Sequence, residues 1–387
     1  MLDDRSLLQI KTEAAEWRRR LHQIPELDYQ LHDTARFVLE KLSSFGIDRI
    51  ETEVAETGIV ALIHGKGSAG PTIGLRADMD ALPITETSGK PWASRNAGKM
   101  HACGHDGHTA MLLGAAKQLA ATRNFKGSVA LIFQPAEEDG RGGQRMVQEG
   151  IMDRFEISQV FGMHNEPGLE IGRFATSPGI VAAALDEFDI HVRGKGGHAA
   201  SPHRTIDPVV IAAHVVVGLQ TLVSRRADPL EALVISVTKL NVGHAYNIIP
   251  ESAQISGTIR TLSPTVRDFA EREVKAGAEG IARGFGAQVV FEHRRLEPTM
   301  FNHPKETELA IKAASGIVGS ASVNRSMRPS MGAEDFAYML EARPGAYVVL
   351  GNGNTPALHN PAYDFNDEAL PYGIAYWVNL VETVLRV

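Results

Sequence analysis

Three histidines, an aspartate and the only cysteine of the chain fall within eight positions, 101 to 108, of the stretch MHACGHDGH. Thiolate, imidazole and carboxylate at this density form the donor set of zinc and similar first-row divalent ions. Further donors each follow a run that reads as a strand. TIGLRA leads to Asp78 and Asp80, SVALIFQ to the pair Glu137 and Glu138, and QVFGM to His164, while His359 lies in the irregular LHNPAYDFND. In open parallel sheets ligands bind outside the carboxyl ends of the strands, so these groups are expected around one sheet edge. A single catalytic zinc uses about three protein ligands. Cys103, His105, one or both of Glu137 and Glu138, His164 and His359 exceed that number. The surplus suits two ions roughly 3.5–4 Å apart, bridged by hydroxide. One glutamate of the pair then binds metal while its neighbour accepts the proton of the attacking water.

Several of these groups also have a plainer reading. Asp106 and His108 suit the cap and first turn of a helix, and His101 suits a packed position or one behind a ligand. Asp78 and Asp80 flank a methionine at a strand end, where they would orient a ligand. A lone cysteine is usually core filler; between histidines in a glycine-rich loop it reads as a ligand. His191, His203, His214, His244, His293 and His303 have no spacing that singles them out.

The elements that must position these groups follow from hydrophobic periodicity. Residues 6–46 read as helices that stop at Gly46. Strand 72–77, amphipathic helix 108–121, strand 128–134, helix 142–152 and strand 159–163 then alternate, which implies an α/β layer with a mostly parallel sheet. The rhythm changes near 183. LDEFDIHVRG, the helix 207–226 with Pro208 in its first turn, ALVISVTKLNVG, AQISGTIRTL, the helix 264–286 and AQVVFEHRRL give βαββαβ, a ferredoxin-like unit. From about 298 helix and short strand return, ending in a helix over 368–386. The expected division is a catalytic domain of 1–182 and 297–387 with 183–296 inserted into it.

The chain of 387 residues is 43% hydrophobic and 22% charged with net charge −7, as in a soluble globular protein. No basic block stands out, which argues against a nucleic-acid partner. Apolar runs such as VVIAAHVVVGL are short for a membrane span, and MLDDRSLLQIKTEAAEWRRR lacks the pattern of a secretory signal. One cysteine forms no intrachain disulfide, and a cytoplasmic location is expected.

LRADMDALPI, MHACGHDGHTAMLLGAA, FQPAEE, GMHN, VRGKGGHAASPH, NIIPESAQISGTIRT, MGAEDFAYM and LHNPAYDFND occur in order. Together they resemble the hippurate hydrolase/N-acyl-amino-acid amidohydrolase branch of the metal-dependent aminoacylase–carboxypeptidase family, over nearly the whole chain. The resemblance implies two divalent ions (zinc, manganese, cobalt or nickel) on Cys103, His105, Glu138, His164 and His359, with His105 in the bridging place. It implies Glu137 as general base, Asp80 as support of the metal centre, and His198 as transition-state stabiliser reaching the partner subunit. Asn247 and Arg260 would hold the substrate carboxylate, and the inserted unit would be a lid and dimerisation domain of a homodimer or homotetramer. The implied reaction is hydrolysis of an N-acyl amino acid of acetyl or benzoyl type. A dipeptidase or carboxypeptidase on the same scaffold is the alternative, and a non-catalytic metal- or amino-acid-binding protein a more remote one. Ala333 and Gln30 stand where relatives often carry serine and an acid.

Overall fold

Strand Thr72–Asp78 is buried at all seven positions, as a central parallel strand covered on both faces must be. The computed structural model describes residues 4–67 and 69–387; the first residues of the stretch read for a secretory signal lie outside them. Around Thr72–Asp78 the larger sheet runs, in spatial order, Arg49–Val54, Gly58–His64, Ser128–Gln134, Thr72–Asp78, Ile157–Glu166, Gly345–Gly351, Phe174–Ala175 and Val323–Asn324. The four central strands are parallel. Arg49–Val54 and Gly58–His64 form an antiparallel hairpin at one edge that the sequence reading does not contain. RIETEV is charged and mostly exposed, so it shows no apolar run, and its register shifts after Glu51.

Helix His105–Thr122 departs from the amphipathic expectation. Buried positions extend almost all round it, including Met111, Leu112, Leu113 and Ala116. Helices Asp4–His22, His32–Ser44 and Leu370–Val384 pack against it, so no side of it is left to solvent along most of its length. The helix starts at His105 rather than 108, which places one donor of the HACGH loop on its first turn. The segment read as one helix over 142–152 is two short ones, Gly142–Gln148 and Ile151–Arg154, divided at Gly150 with φ +81°.

Contacts divide the chain into two compact units, 1–181 with 301–328 and 334–387, and 182–300 with 329–333. The smaller unit has the antiparallel order Leu233–Val242, Ser252–Thr261, Ala184–Arg193, Gln288–Arg295, with helices Pro208–Thr221 and Pro264–Gly284. That order, with two helices in βαββαβ sequence, is the ferredoxin-like arrangement. Alternate residues of Ala184–Arg193 are buried, so Phe188, Ile190 and Val192 meet Ile211, Val215, Leu219, Val274 and Ala278 in one core. Residues 329–333 join this unit through Ala182 and Ala183, a return of the chain that no sequence pattern marked.

Helix Pro208–Thr221 continues as a π-turn over Leu222–Arg226. The stretch Pro208–Arg226 has a mean hydropathy of 1.5 and, by length and composition alone, could cross a bilayer. Its Ile211, Val215 and Leu219 pack on the sheet, while Val209, Val210 and Val217 remain exposed. It is a core helix of the small unit with a second apolar face left uncovered in the single chain.

Candidate metal centre

All five metal-ligand candidates lie in the larger unit, at or just beyond the C-terminal ends of its parallel strands or in the loops beside them. His164 sits within strand Ile157–Glu166, two residues from its end. Glu137 and Glu138 follow Ser128–Gln134 directly, and Asp78 ends Thr72–Asp78 with Asp80 two residues on. Three backbone choices aim the groups. Gly104 has φ +90°, and a Cβ there would stand 2.4 Å from Asn165 Nδ2 and 2.5 Å from Tyr363 Oη, so only glycine fits between Cys103 and His105. Ala136 (φ +54°) and His359 (φ +63°) take the left-handed region without being glycine. Such strain persists only where the surroundings over-determine it, and it concentrates at functional sites.

Donor atoms of Cys103, His105 and His164 lie within 4.8 Å of one another, as do those of Cys103, Glu138 and His359, and those of His105, Glu137 and Glu138. Cys103 Sγ is 3.4 Å from His164 Nε2. Glu138 reaches His105 Nε2 at 3.9 Å through one oxygen and His359 Nε2 at 3.5 Å through the other. Cys103, His105 and Glu138 thus each belong to two of these groups. A thiolate sulfur has lone pairs for two cations, whereas an imidazole nitrogen has one.

Hydrogen bonds set the ring tautomers. His164 donates from Nδ1 to the Asn165 carbonyl at 2.7 Å, which turns the bare Nε2 towards Cys103. The backbone N–H of Asn165 donates to His108 Nε2 at 3.0 Å, so His108 donates from Nδ1 to Asp78 at 2.6 Å and has no lone pair left for a metal. His108 therefore braces the candidate ligands from behind. Asp80 accepts the Glu138 N–H at 3.1 Å and faces His105 Nδ1 at 3.3 Å.

The fit to a cation rests on buried donors that face one another, as His105 Nδ1 and Asp80 Oδ1 do at 3.3 Å, without forming hydrogen bonds. Both nitrogens of His105, Glu138 Oε1 and Asp80 Oδ1 are buried and make no hydrogen bond among the described residues. Sulfur, imidazole and carboxylate together suit first-row divalent ions. The local field has the matching sign. Burial pushes the Cys103 thiol well above its usual range, and Glu138, Glu137 and Asp78 push it further. Burial also raises Glu137 well above the carboxylate range, helped by Glu334, Glu138 and Asp335 against the opposing Arg76. Burial would lower His105, but Asp78, Asp80 and Glu138 outweigh it and bring it to about 10. A bound cation would displace the protons that this negative surplus otherwise retains.

Two buried networks brace the centre, and neither was assigned from sequence. Arg76 donates to Asp78 at 2.7 Å, to Glu334 and Asp335 at 3.0 Å each, and to Gln134 at 2.9 Å. A charged residue inside the apolar run TIGLRA was the visible signal, since a buried guanidinium requires partners. The other network joins Arg18, His22 and Asp106, all buried. His22 Nδ1 meets Asp106 at 2.8 Å and its Nε2 meets Glu86 at 3.3 Å, while Arg18 meets Asp364 and Asp367. Asp106 is thus committed to this network rather than capping the helix. His101 is buried beside His22 and held neutral, its pKa pushed to about 4 chiefly by burial. Nothing around Arg18 or His22 in the sequence distinguished them from an ordinary helix face.

His198, Asn247 and Arg260 belong to the small unit. His198 lies on a two-stranded ribbon opposite Ile248, exposed, with Nδ1 accepting the Ala200 N–H at 3.1 Å, so the neutral ring carries its proton on Nε2. The Asn247 carbonyl accepts from Ala199 N–H at 3.0 Å on the same ribbon. Arg260 is half-buried on Ser252–Thr261 between Leu185 and Val234, with Glu297 as the acid whose charge reaches it.

The model of peptidase family M20/M25/M40 matches residues 74–383. The chain belongs to that family and is a hydrolase. It is 37% identical over 380 residues to hippurate hydrolase of Campylobacter jejuni, with 98% of each chain covered. It is 38% identical over 370 residues to N-acetylcysteine deacetylase of Bacillus subtilis, covering 95% of this chain and 96% of the other. The crystal structure of a dinuclear metal-binding M20 peptidase from Bacillus subtilis matches with a TM-score of 0.85 at 35% identity, covering 98% of this chain and 99% of that one.

The His22 pair carries a pH signature. Burial lowers His22, but Asp106 and Glu86 outweigh it and raise it to about 9 from 6.5. Its contribution to stability is full below the unfolded value and is lost as pH rises through the folded one. Urea midpoints should therefore fall between pH 6.5 and 9.5 more steeply in the native protein than in His22→Gln. Parallel curves for the two proteins would show that His22 is not charged in the fold.

Proposed function

We propose that this protein is a metal-dependent amidohydrolase that cleaves an N-acyl amino acid to a carboxylate and a free amino acid, using two divalent ions per chain. The observation that carries it is the convergence of Cys103, His105, Glu138, His164 and His359 around partnerless buried atoms, with Glu137 beside them. The names of the relatives, hippurate hydrolase and N-acetylcysteine deacetylase, support this substrate class. Cys103, the softer donor with spare lone pairs, would be as well suited to a shared position as His105, to which the motif resemblance gives it.

Two bound ions supply Lewis-acid polarisation of the amide oxygen and a water acidic enough to ionise near neutral pH. The chain does the rest. Glu137 takes the proton of the attacking water and returns it to the leaving nitrogen, acting first as general base and then as general acid. Asp80, by accepting the Glu138 N–H, holds the backbone of the glutamate that would bind metal. His198, with Nε2–H free of its own ribbon, donates to the carbonyl oxygen as negative charge develops. Asn247 and Arg260 hold the carboxylate of the amino-acid half, which the guanidinium fork matches with two parallel bonds.

In this function 1–182 and 297–387 form the catalytic domain, 183–296 the lid and dimerisation domain, and the enzyme works in the cytoplasm. Exposed Val209, Val210 and Val217, and the edge strand Leu233–Val242, support a homodimer in which His198 serves the partner's site.

Three outcomes follow. Glu137→Gln should keep its metal and lose at least about a hundredfold in kcat, the low end for loss of a general base; Glu138→Gln should lose metal instead, and the reverse pattern would exchange their roles. Mixing inactive His198→Ala with inactive Glu137→Gln should restore activity through hybrid dimers; no recovery after verified subunit exchange would confine His198 to its own chain. Across N-acetyl and N-benzoyl amino acids, their carboxamides and dipeptides, the free acids should be preferred, and Arg260→Ala should erase the preference over the carboxamides. A mutant that kept the native acid-to-amide ratio of kcat/KM would remove Arg260 from the site, and a preference for dipeptides would make the enzyme a dipeptidase.

A further inference from the structure

Asn165 is fully buried beside His164, and each of its polar groups is engaged. Its N–H donates to His108 Nε2 at 3.0 Å and its carbonyl accepts from His164 Nδ1 at 2.7 Å. The side-chain Nδ2 donates to the Cys103 carbonyl at 2.6 Å, and Oδ1 accepts from the Tyr363 hydroxyl at 2.6 Å. These partners stand on three separate segments that carry metal-ligand candidates: the HACGH loop with its helix, the strand of His164, and the loop of His359, four residues before Tyr363.

We propose that Asn165 is the positioning residue that sets the spacing of the metal centre, a role that rests on the metal-dependent reading above. The chemistry requires a carboxamide. The Cys103 carbonyl needs a donor and the Tyr363 hydroxyl needs an acceptor, and one planar group of this length supplies both. Aspartate could accept but not donate; an aliphatic residue could do neither and would leave two buried polar groups unpaired. The HACGH loop is shaped around this carboxamide, since the left-handed Gly104 passes so close to it that no Cβ would fit. Fixing the Cys103 peptide fixes the point from which Sγ reaches towards His164 Nε2, 3.4 Å away. The same residue sets the His164 tautomer by accepting its Nδ1–H. Hydrogen-bond partners of ligands commonly change metal affinity by about 10–100-fold when removed.

A purely structural role would lower stability without a specific effect on metal. Asn302 provides the comparison: it is also a fully buried asparagine of the larger unit, bonded to Thr176, Ser177 and Tyr347 and to no ligand segment. The test strips the full-length protein of metal, records its melting temperature, and titrates zinc against a chromophoric chelator. Asn165→Leu should bind zinc about 10–100-fold more weakly, while Asn302→Leu lowers the melting temperature of the stripped protein and leaves zinc affinity unchanged. Native zinc affinity in Asn165→Leu, or an equal loss in Asn302→Leu, overturns the proposal. If Asn165→Leu does not fold, Tyr363→Phe decides: it removes one hydroxyl from the hub and should weaken zinc binding in the same direction, and native affinity there overturns the proposal equally. If the unaltered protein binds no zinc, manganese, cobalt or nickel, the metal-dependent function itself fails before any variant is compared.

Discussion

Arg76 is a full positive charge buried in the middle of the central sheet, and the site is arranged by the need to partner it. An unpaired guanidinium there would be prohibitively costly, so carboxylates must come to it. Asp78 comes from its own strand and Glu334 and Asp335 from a segment more than 250 residues away in sequence. Asp335 also accepts from Gln134 and from the Gly143 N–H, which ties down the turn after Glu137 and Glu138. The second oxygen of Asp78 holds His108, and His108 holds the backbone of Asn165. The loops that carry the metal donors therefore hang from one guanidinium through a continuous chain of hydrogen bonds. Arg76 holds Asp78 well below the usual carboxylate range despite its burial, so that end of the chain is a fixed anion.

The crowding of carboxyl groups around Arg76 gives the site its character. Asp78, Asp80, Glu137, Glu138, Glu334 and Asp335 gather where the backbone is also strained, at left-handed Ala136 and His359. A sequence optimised for stability alone would not concentrate carboxylates in this way. The surroundings that hold the strain are rigid: parallel strands, a helix buried almost all round, and the terminal helix packed on it. Donor geometry set on such elements is more precise than geometry set on loops.

The small unit follows simpler rules. Alternation along its strands and apolar stripes on two helices account for its core. Its polar ribbon sets His198 opposite Ile248, with Asn247 at the turn.

Sequence alone determined what depends on residue type and short-range order. The donors in HACGH, the glutamate pair after a strand, and βαββαβ periodicity are local patterns, and strands of a parallel sheet place their following residues at one edge by topology. The family could be read from the same motifs. In the edge hairpin only Arg49–Val54 lacks an apolar run; Gly58–His64 has one and is buried, and what the pattern does not show is its antiparallel pairing at the sheet edge, while the central helix reads as amphipathic because its cover comes from helices at the two ends of the chain. Which of the candidate donors are engaged as braces was decided only by tertiary structure. His108 is excluded by a backbone N–H from Asn165, and Asp106 by His22 and Arg18, partners 57, 84 and 88 positions away in sequence. A histidine's role depends on which lone pair remains free, and that is fixed by neighbours the chain brings together only when it folds.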